Sequence, residues 1–245
     1  MTGGLNFRSL ADSGLTVEFD DQPDRVANAR VMALHRRLSR AREAGQAPGL
    51  VETVPTIRSL TLHYDPLLTS RRELEALVAD HLGDEAAAPA ATRWRLPCLY
   101  GGAAGPDLDA VAAARGLSPA QVVALHAATE VSVYMLGFMP GFAYMGDLPP
   151  ELESPRRAEP RLAVPAGSVA IAGRLTGVYP WESPGGWHLL GNCPIPMFDP
   201  GRSRPVLLAA GDRVGFEPID EARYAALKAE VENGTFDIAA LEVMA

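Results

Sequence analysis

The chain has 245 residues and a mass of 26.0 kDa, with 47% hydrophobic side chains, 30 acidic against 22 basic residues and a formal charge of -8. A chain of this size buries roughly 70% of the surface of its extended form, enough for one large or two small cores, which excludes general disorder. The acidic balance argues against nucleic acid as a partner, and no apolar run approaches the roughly 20 residues of a membrane span.

The opening "MTGGLNFRSLADSG" has no basic start followed by an apolar core, so neither signal peptide nor anchor is expected and the place expected for the chain is the cytoplasm. "LTVEF" (Leu15 to Phe19) alternates like a strand. Pro23 and Asp24 suit a helix entrance, after which Val31, Leu34, Leu38 and Ala41 recur at helical spacing up to Gly45. "LVETV" and "IRSLTLHY" read as two strands parted by Pro55 and Thr56. Ser70 and Glu73 form a capping box ahead of Leu74, Leu77, Val78 and Leu82; "GDEAAAPAAT" reads as a linker and "RWRLP" as a strand start. The order β-α-β-β-α-β predicts a ferredoxin-like arrangement with both helices on one face of an antiparallel sheet. Arg30, Arg36, Arg37 and Arg40 mark the polar outer face of the first helix.

Beyond Tyr100 the texture changes. In "LSPAQVVALH" Ser118 caps, Pro119 takes the first helical position and Gln121 the third, which predicts a helix from about Pro119. Short apolar pieces follow, "VSVYML", "SVAIAG", "GWHLLG" and "PVLLAAGDRVGFEPI", punctuated by Gly and Pro as in a sandwich or barrel. A last helix is expected on Tyr224, Leu227 and Val231. The fold class is therefore α+β, with a ferredoxin-like domain over 1–92 and a β domain over 93–245. Cys98 and Cys193 are too few for a disulfide framework or a thiolate metal site and are expected as reduced thiols.

Three blocks carry candidate chemistry. Gly137, Gly141 and Gly146 space "LGFMPGFAYMG" so that Phe138, Phe142 and Tyr144 sit beside sharply turned backbone, either shaping a pocket or plugging a barrel corner. In "SPRRAEPR", Arg156, Arg157 and Arg161 offer bidentate donors for carboxylate or phosphate; the other reading ties them to Glu151, Glu153 and Glu159 in surface ion pairs worth about 1 kcal/mol or less each. In "TGVYPWESPGGWHLLG", Glu182 and His188 flank the Gly185-Gly186 turn. They are a carboxylate and an imidazole that can share a proton relay if they meet, while a barrel-wall or partner-facing place for His188 is the alternative. Tyr179 and Trp187 stack either on a ligand or partner, or in the core. The remaining histidines show no His-x-x-x-His spacing, so no metal is expected. "GGAAGPD" lacks the Lys-Ser/Thr of a phosphate loop, and no Gly-x-Ser-x-Gly is present, so neither nucleotide binding by this chain alone nor a serine hydrolase is supported.

Together, "VYMLGFMPGFAYMGDLP", "SPRRAEPRLAVPAGSVAIAG", "TGVYPWESPGGWHLLG" and "MFDP", with "DSGLTVEF" and "LPCLYGGAAGPDLDAVA" before them, resemble the allophanate hydrolase subunit 1 family, also called the KipI family. The resemblance implies a small α/β domain followed by a cyclophilin-like β-barrel. It also implies a subunit of an ATP-dependent 5-oxoprolinase complex, in which a carbonyl oxygen is activated by phosphorylation and 5-oxo-L-proline is hydrolysed to L-glutamate. ATP then belongs to the complex, with no cofactor site assigned to this chain. The implied partners are a subunit 2-like protein, of the KipA type or the type of the 5-oxoprolinase C component, and a protein of the type of the 5-oxoprolinase A component. In a pocket so shared, Arg157 is the candidate for stabilising negative charge and Glu182 and His188 for moving a proton. Phe138, Phe142, Tyr144, Arg156, Arg161, Tyr179 and Trp187 form the expected substrate or partner surface. The alternatives within the resemblance are a KipI-like regulator that inhibits a sensor histidine kinase and an accessory unit of an amide or urea-derived hydrolase. Leu175, and Asn192 with Cys193, depart from the family's usual residues, which leaves substrate choice open.

Overall fold

The computed structural model describes residues 5–21, 24–83 and 91–243, and the chain divides into two compact units, Met1–Ala90 and Ala91–Ala245. In the first unit the order is β1 (Asn6–Leu10), β2 (Gly14–Glu18), α1 (Arg25–Glu43), β3 (Leu50–Pro55), β4 (Ser59–Tyr64) and α2 (Arg71–His81). Both helices start where their caps dictate. The Asp24 carboxylate accepts the Ala27 amide, and Ser70 with Glu73 closes a reciprocal capping box. The apolar stripe Val31, Leu34, Leu38 and Ala41 of α1 then packs with Leu74 and Val78 of α2 on Leu15, Val17, Leu60 and Leu62 of the sheet. Arg37 is more than a solvated side chain: it donates to the carbonyls of His81 and Gly83 and ties α1 to the end of α2.

The sheet order β1-β2-β4-β3, antiparallel throughout, corrects the expected β-α-β-β-α-β order. The strands and helices expected between Leu15 and Leu82 form. The outer place beside β2, however, is taken by Asn6–Leu10 and not by the segment that starts at Arg93. The edge strand is polar and largely exposed, so it carries no alternating signal. In contrast, Trp94, Leu96 and Cys98 are all buried in the second core, which claims their strand. Of the expected linker, residues 84–90 lie outside the described residues.

The second unit is a closed barrel in the order β10-β7-β6-β13-β5-β12-β9. Its strands are β5 (Arg93–Tyr100), β6 (Val131–Leu136), β7 (Ala143–Gly146), β9 (Ser168–Ala172), β10 (Leu175–Val178), β12 (His188–Asn192) and β13 (Arg213–Pro218). It fits the expected cyclophilin-like barrel. Strands β8 (Arg161–Val164) and β11 (Ser183–Gly185) pair as a separate ribbon. The parallel pair β5 and β13 buries Trp94, Leu96, Val214 and Phe216 on the inner face. Helices α3 (Leu108–Arg115), α4 (Pro119–Ala128) and α5 (Glu221–Glu232) complete the unit, α4 beginning with the Ser118–Gln121 capping box read from the sequence. Among the described residues no helix is long and apolar enough to cross a membrane.

Candidate functional site

The turn between β6 and β7 builds one wall of a cavity. The Gly137 amide donates to the Phe142 carbonyl and its carbonyl accepts the Met139 amide, and Gly141 takes φ +84 where a Cβ would lie 2.7 Å from that of Phe198. Phe138 is held at φ 69 although it is an aromatic residue, and its ring is 60% exposed. Left-handed backbone at a bulky side chain is a strained state that surrounding structure must maintain, and here it presents an apolar ring to solvent. Beneath it, buried Phe142 meets Phe138, Tyr144, Tyr179 and Trp187 edge-on, with centroid distances of 5.6, 4.9, 5.2 and 5.6 Å. Gly185 admits the Tyr179 hydroxyl, which lies 2.4 Å from where a Cβ would stand.

These rings, with Arg156, Pro184 and the Gly185-Gly186 turn, line a cavity of about 140 Å³. Burial raises the pKa of both the Tyr144 and Tyr179 phenols, against the opposing charge of Arg156, so both carry their proton at neutral pH. The cavity thus offers aromatic edges, two phenols and a guanidinium. Arg156 is exposed and makes no ion pair or hydrogen bond among the described residues.

The other two arginines are committed elsewhere. Asp107, only 5% exposed, accepts Arg161 through both oxygens at 2.8 and 2.9 Å, Arg157 at 3.1 Å and the Leu189 amide at 2.7 Å. Neither expected alternative for these side chains describes this, because their partner is a buried aspartate and not a surface glutamate. Burial alone would raise the Asp107 pKa; the Arg161 and Leu189 hydrogen bonds and the Arg161 and Arg157 charges outweigh it and hold the carboxyl below its ordinary value. The hub fastens the proline-framed loop to the β11–β12 turn, aided by the Arg157 amide on the Gly186 carbonyl at 2.8 Å.

The structure brings Phe138, Phe142, Tyr144, Arg156, Tyr179 and Trp187 around one cavity, and Arg157 and Arg161 onto Asp107 behind it. It does not join Glu182 to His188. His188 donates Nε2–H to the Pro155 carbonyl at 2.8 Å, while Glu182 is exposed and makes no hydrogen bond or ion pair among the described residues. Asp107 was missed because its partners lie 50 and 54 residues away; its place in the "LPCLYGGAAGPDLDAVA" block was the available signal. The glycine run before it closes on β12 at Gly105, while Gly102 stands in open space at φ +52. Gly101 donates to the Leu190 carbonyl, Gly105 to the Gly101 carbonyl, and a Cβ on Gly105 would lie 1.9 Å from Leu190 O.

A second buried polar chain crosses the barrel. Thr176 Oγ1 donates to the Ala170 carbonyl at 3.0 Å and so accepts Nε2–H of His126 at 3.0 Å; His126 Nδ1 in turn accepts the Tyr100 hydroxyl at 2.6 Å. Burial lowers the His126 pKa to about 3, so the imidazole is neutral.

Residues 5–208 match the family described as carboxyltransferase domain, subdomain C and D. The B component of 5-oxoprolinase from Escherichia coli O157:H7 is 42% identical over 213 residues, which cover 86% of this chain and 95% of that protein. The B component of 5-oxoprolinase from Bacillus subtilis (strain 168) is 37% identical over 244 residues, covering 94% of this chain and 99% of that one. Among solved structures, that of TTHA0988 superposes with a TM-score of 0.73 at 41% identity; the match covers 84% of this chain and spans 40% of that chain. The chain belongs to the carboxyltransferase domain C and D family, in agreement with the resemblance to allophanate hydrolase subunit 1.

Proposed function

We propose that the chain is a subunit of a cytoplasmic 5-oxoprolinase complex that opens 5-oxo-L-proline to L-glutamate with ATP. The observation that carries the reading is the cavity. It pairs an aromatic box with a guanidinium that no protein carboxylate neutralises, and this suits a small flat lactam bearing one carboxylate. Arg156 anchors the substrate carboxylate in this reading, while Arg157 and Arg161, held by Asp107, position the loop that carries it. The identities reported for the two 5-oxoprolinase relatives support the choice of reaction.

The remaining chemistry belongs to an assembled site. Because "GGAAGPD" lacks the Lys-Ser/Thr of a phosphate loop, the nucleotide is proposed to bind a partner; a subunit 2-like protein and a protein of the 5-oxoprolinase A-component type are the proposed companions. Glu182, exposed and unpartnered among the described residues, is proposed to handle a proton once a partner covers it, and His188 to hold the Pro155 loop and serve the same transfer. Exposed Phe138 lies at the mouth, where a partner would close the cavity.

Two substitutions test the assignment in the assembled complex. Arg156→Ala is expected to raise KM for 5-oxoproline at least about tenfold, equal to roughly 1.4 kcal/mol, with melting temperature unchanged. Glu182→Gln is expected to lower kcat by about tenfold or more at unchanged KM. Glutamate formation with ATP is the measurement. Normal kinetics in both variants, with partners bound, would remove the cavity and its rim from the reaction. Little turnover is expected from the chain alone, and full activity without partners would reject the shared site.

A further inference from the structure

We propose that Cys98 and Cys193 are an oxidative modification site, closing a cross-strand disulfide inside the barrel under a small disulfide oxidant. Strands β5 and β12 pair antiparallel with Gly191 opposite Tyr100 and Asn192 opposite Leu99. The ladder ends at Asn192, and continuing its register by one residue would set Cys193 opposite Cys98. The Gly101 amide donates to the Leu190 carbonyl, which makes that pair a hydrogen-bonded position; alternation along the ladder makes Cys98 and Cys193 a non-hydrogen-bonded one. Their main-chain groups agree. The Cys98 carbonyl accepts the Ile219 amide and the Cys193 amide donates to the Gly167 carbonyl, each turned away from the other strand.

Non-hydrogen-bonded antiparallel pairs bring Cα atoms to about 4.5 Å, within the span a disulfide bridges. Both cysteines are free and belong to one core, with exposures of 0% and 2%. Burial, and then the neighbouring Cys193, raise the Cys98 thiol well above its ordinary pKa, while burial raises that of Cys193, whose Sγ faces the Ile195 carbonyl at 3.9 Å. In the reduced protein Cys98 Sγ occupies the room left by Gly191, where a Cβ would stand 2.6 Å from it. Closing the bridge asks for side-chain rotation about Cα–Cβ and no new strand register.

The chemistry balances with a disulfide such as oxidised glutathione. One cysteine, as thiolate, attacks the oxidant's S–S bond and releases one glutathione thiol; the second cysteine, giving up its proton, attacks the mixed disulfide and releases the other. Two S–H bonds are lost, one protein S–S bond forms, and the oxidant is reduced to two thiols. Buried, hard-to-ionise thiols make this slow in the closed barrel, so it proceeds while β12 is detached, as during folding. The product staples β5, whose chain runs on to Asp107, to β12, which contains Leu189.

The test unfolds the full chain and refolds it in a glutathione buffer rich in the oxidised form, followed by acid quench, alkylation and peptide mapping. The expected result is monomer whose intact mass is lower by two hydrogens, with the Cys98 and Cys193 peptides linked and a melting temperature several degrees above that of the reduced protein. Cys98→Ser and Cys193→Ser should each abolish the linked peptide and leave the circular dichroism of the barrel intact. Refolded monomer with both thiols free, or each carrying glutathione, would overturn the proposal, as would links between chains only. If oxidative refolding yields no barrel, the folded protein is held just below its melting temperature with the same oxidant, where linked monomer supports the site and two free thiols refute it.

Discussion

Acidification from about pH 7 to about pH 4 is expected to cost the barrel roughly 3 kcal/mol through His126 alone. The imidazole is fully buried, which keeps it neutral, and Thr176 Oγ1, donating to the Ala170 carbonyl, places its proton on Nε2. A proton added at Nδ1 would turn the Tyr100 hydroxyl from donor to acceptor and place a charge in the core. In the unfolded chain the same group titrates near its ordinary value of about 6.5. Because burial takes the folded value down to about 3, the unfolded state binds the extra proton first as pH falls. Stability from this source is complete above about pH 6.5 and declines by roughly 1.4 kcal/mol per pH unit toward the folded value. Denaturant unfolding across this range should show the slope, and His126→Gln should show a slope smaller by one proton. Equal slopes in the two proteins would exclude His126 from the acid response.

Asp107→Ala is expected to destabilise the barrel unit by about 3 kcal/mol, because it strands two partly buried guanidinium groups and the Leu189 amide at once. Asp107→Asn keeps an acceptor for the amide but not the charge, and should fall between Ala and wild type. The contribution has its own pH window. The folded carboxyl is held below its ordinary value, so its stabilisation is full above about pH 4 and is lost as pH falls through the folded value, below the range in which His126 first acts. In the complex, loss of Asp107 should also raise KM by freeing the loop that carries Arg156. Urea unfolding of the chain and kinetics of the complex read the two effects separately. A variant as stable as wild type would show that the arginines find water as good a partner.

Features that depend on residues a few positions apart were legible in the chain. The Ser70–Glu73 and Ser118–Gln121 boxes are such cases, since the bonds that make them span three residues and need no other segment. The aromatic site was legible in part for a similar reason: Phe138, Phe142 and Tyr144 share one glycine-spaced turn. The relay between Glu182 and His188 was an inference from nearness in sequence, and His188 took the Pro155 carbonyl instead.

By itself the sequence determined the family, the α/β-then-barrel order and the turn that carries the aromatic rings, because block order, hydrophobic period and glycine spacing are properties of the chain. Only tertiary structure decided where the strand from Arg93 belongs, which of the three loop arginines stays outside the Asp107 hub and what His126 is for. Those outcomes turn on competition for a place in a core or for a buried acceptor. The Asp107 carboxylate recruits arginines 50 and 54 residues distant, and His126 finds its partners 26 and 50 residues away. No local pattern encodes such a contest, since the cost of leaving a buried charge or donor unpaired arises only once the barrel has closed around it.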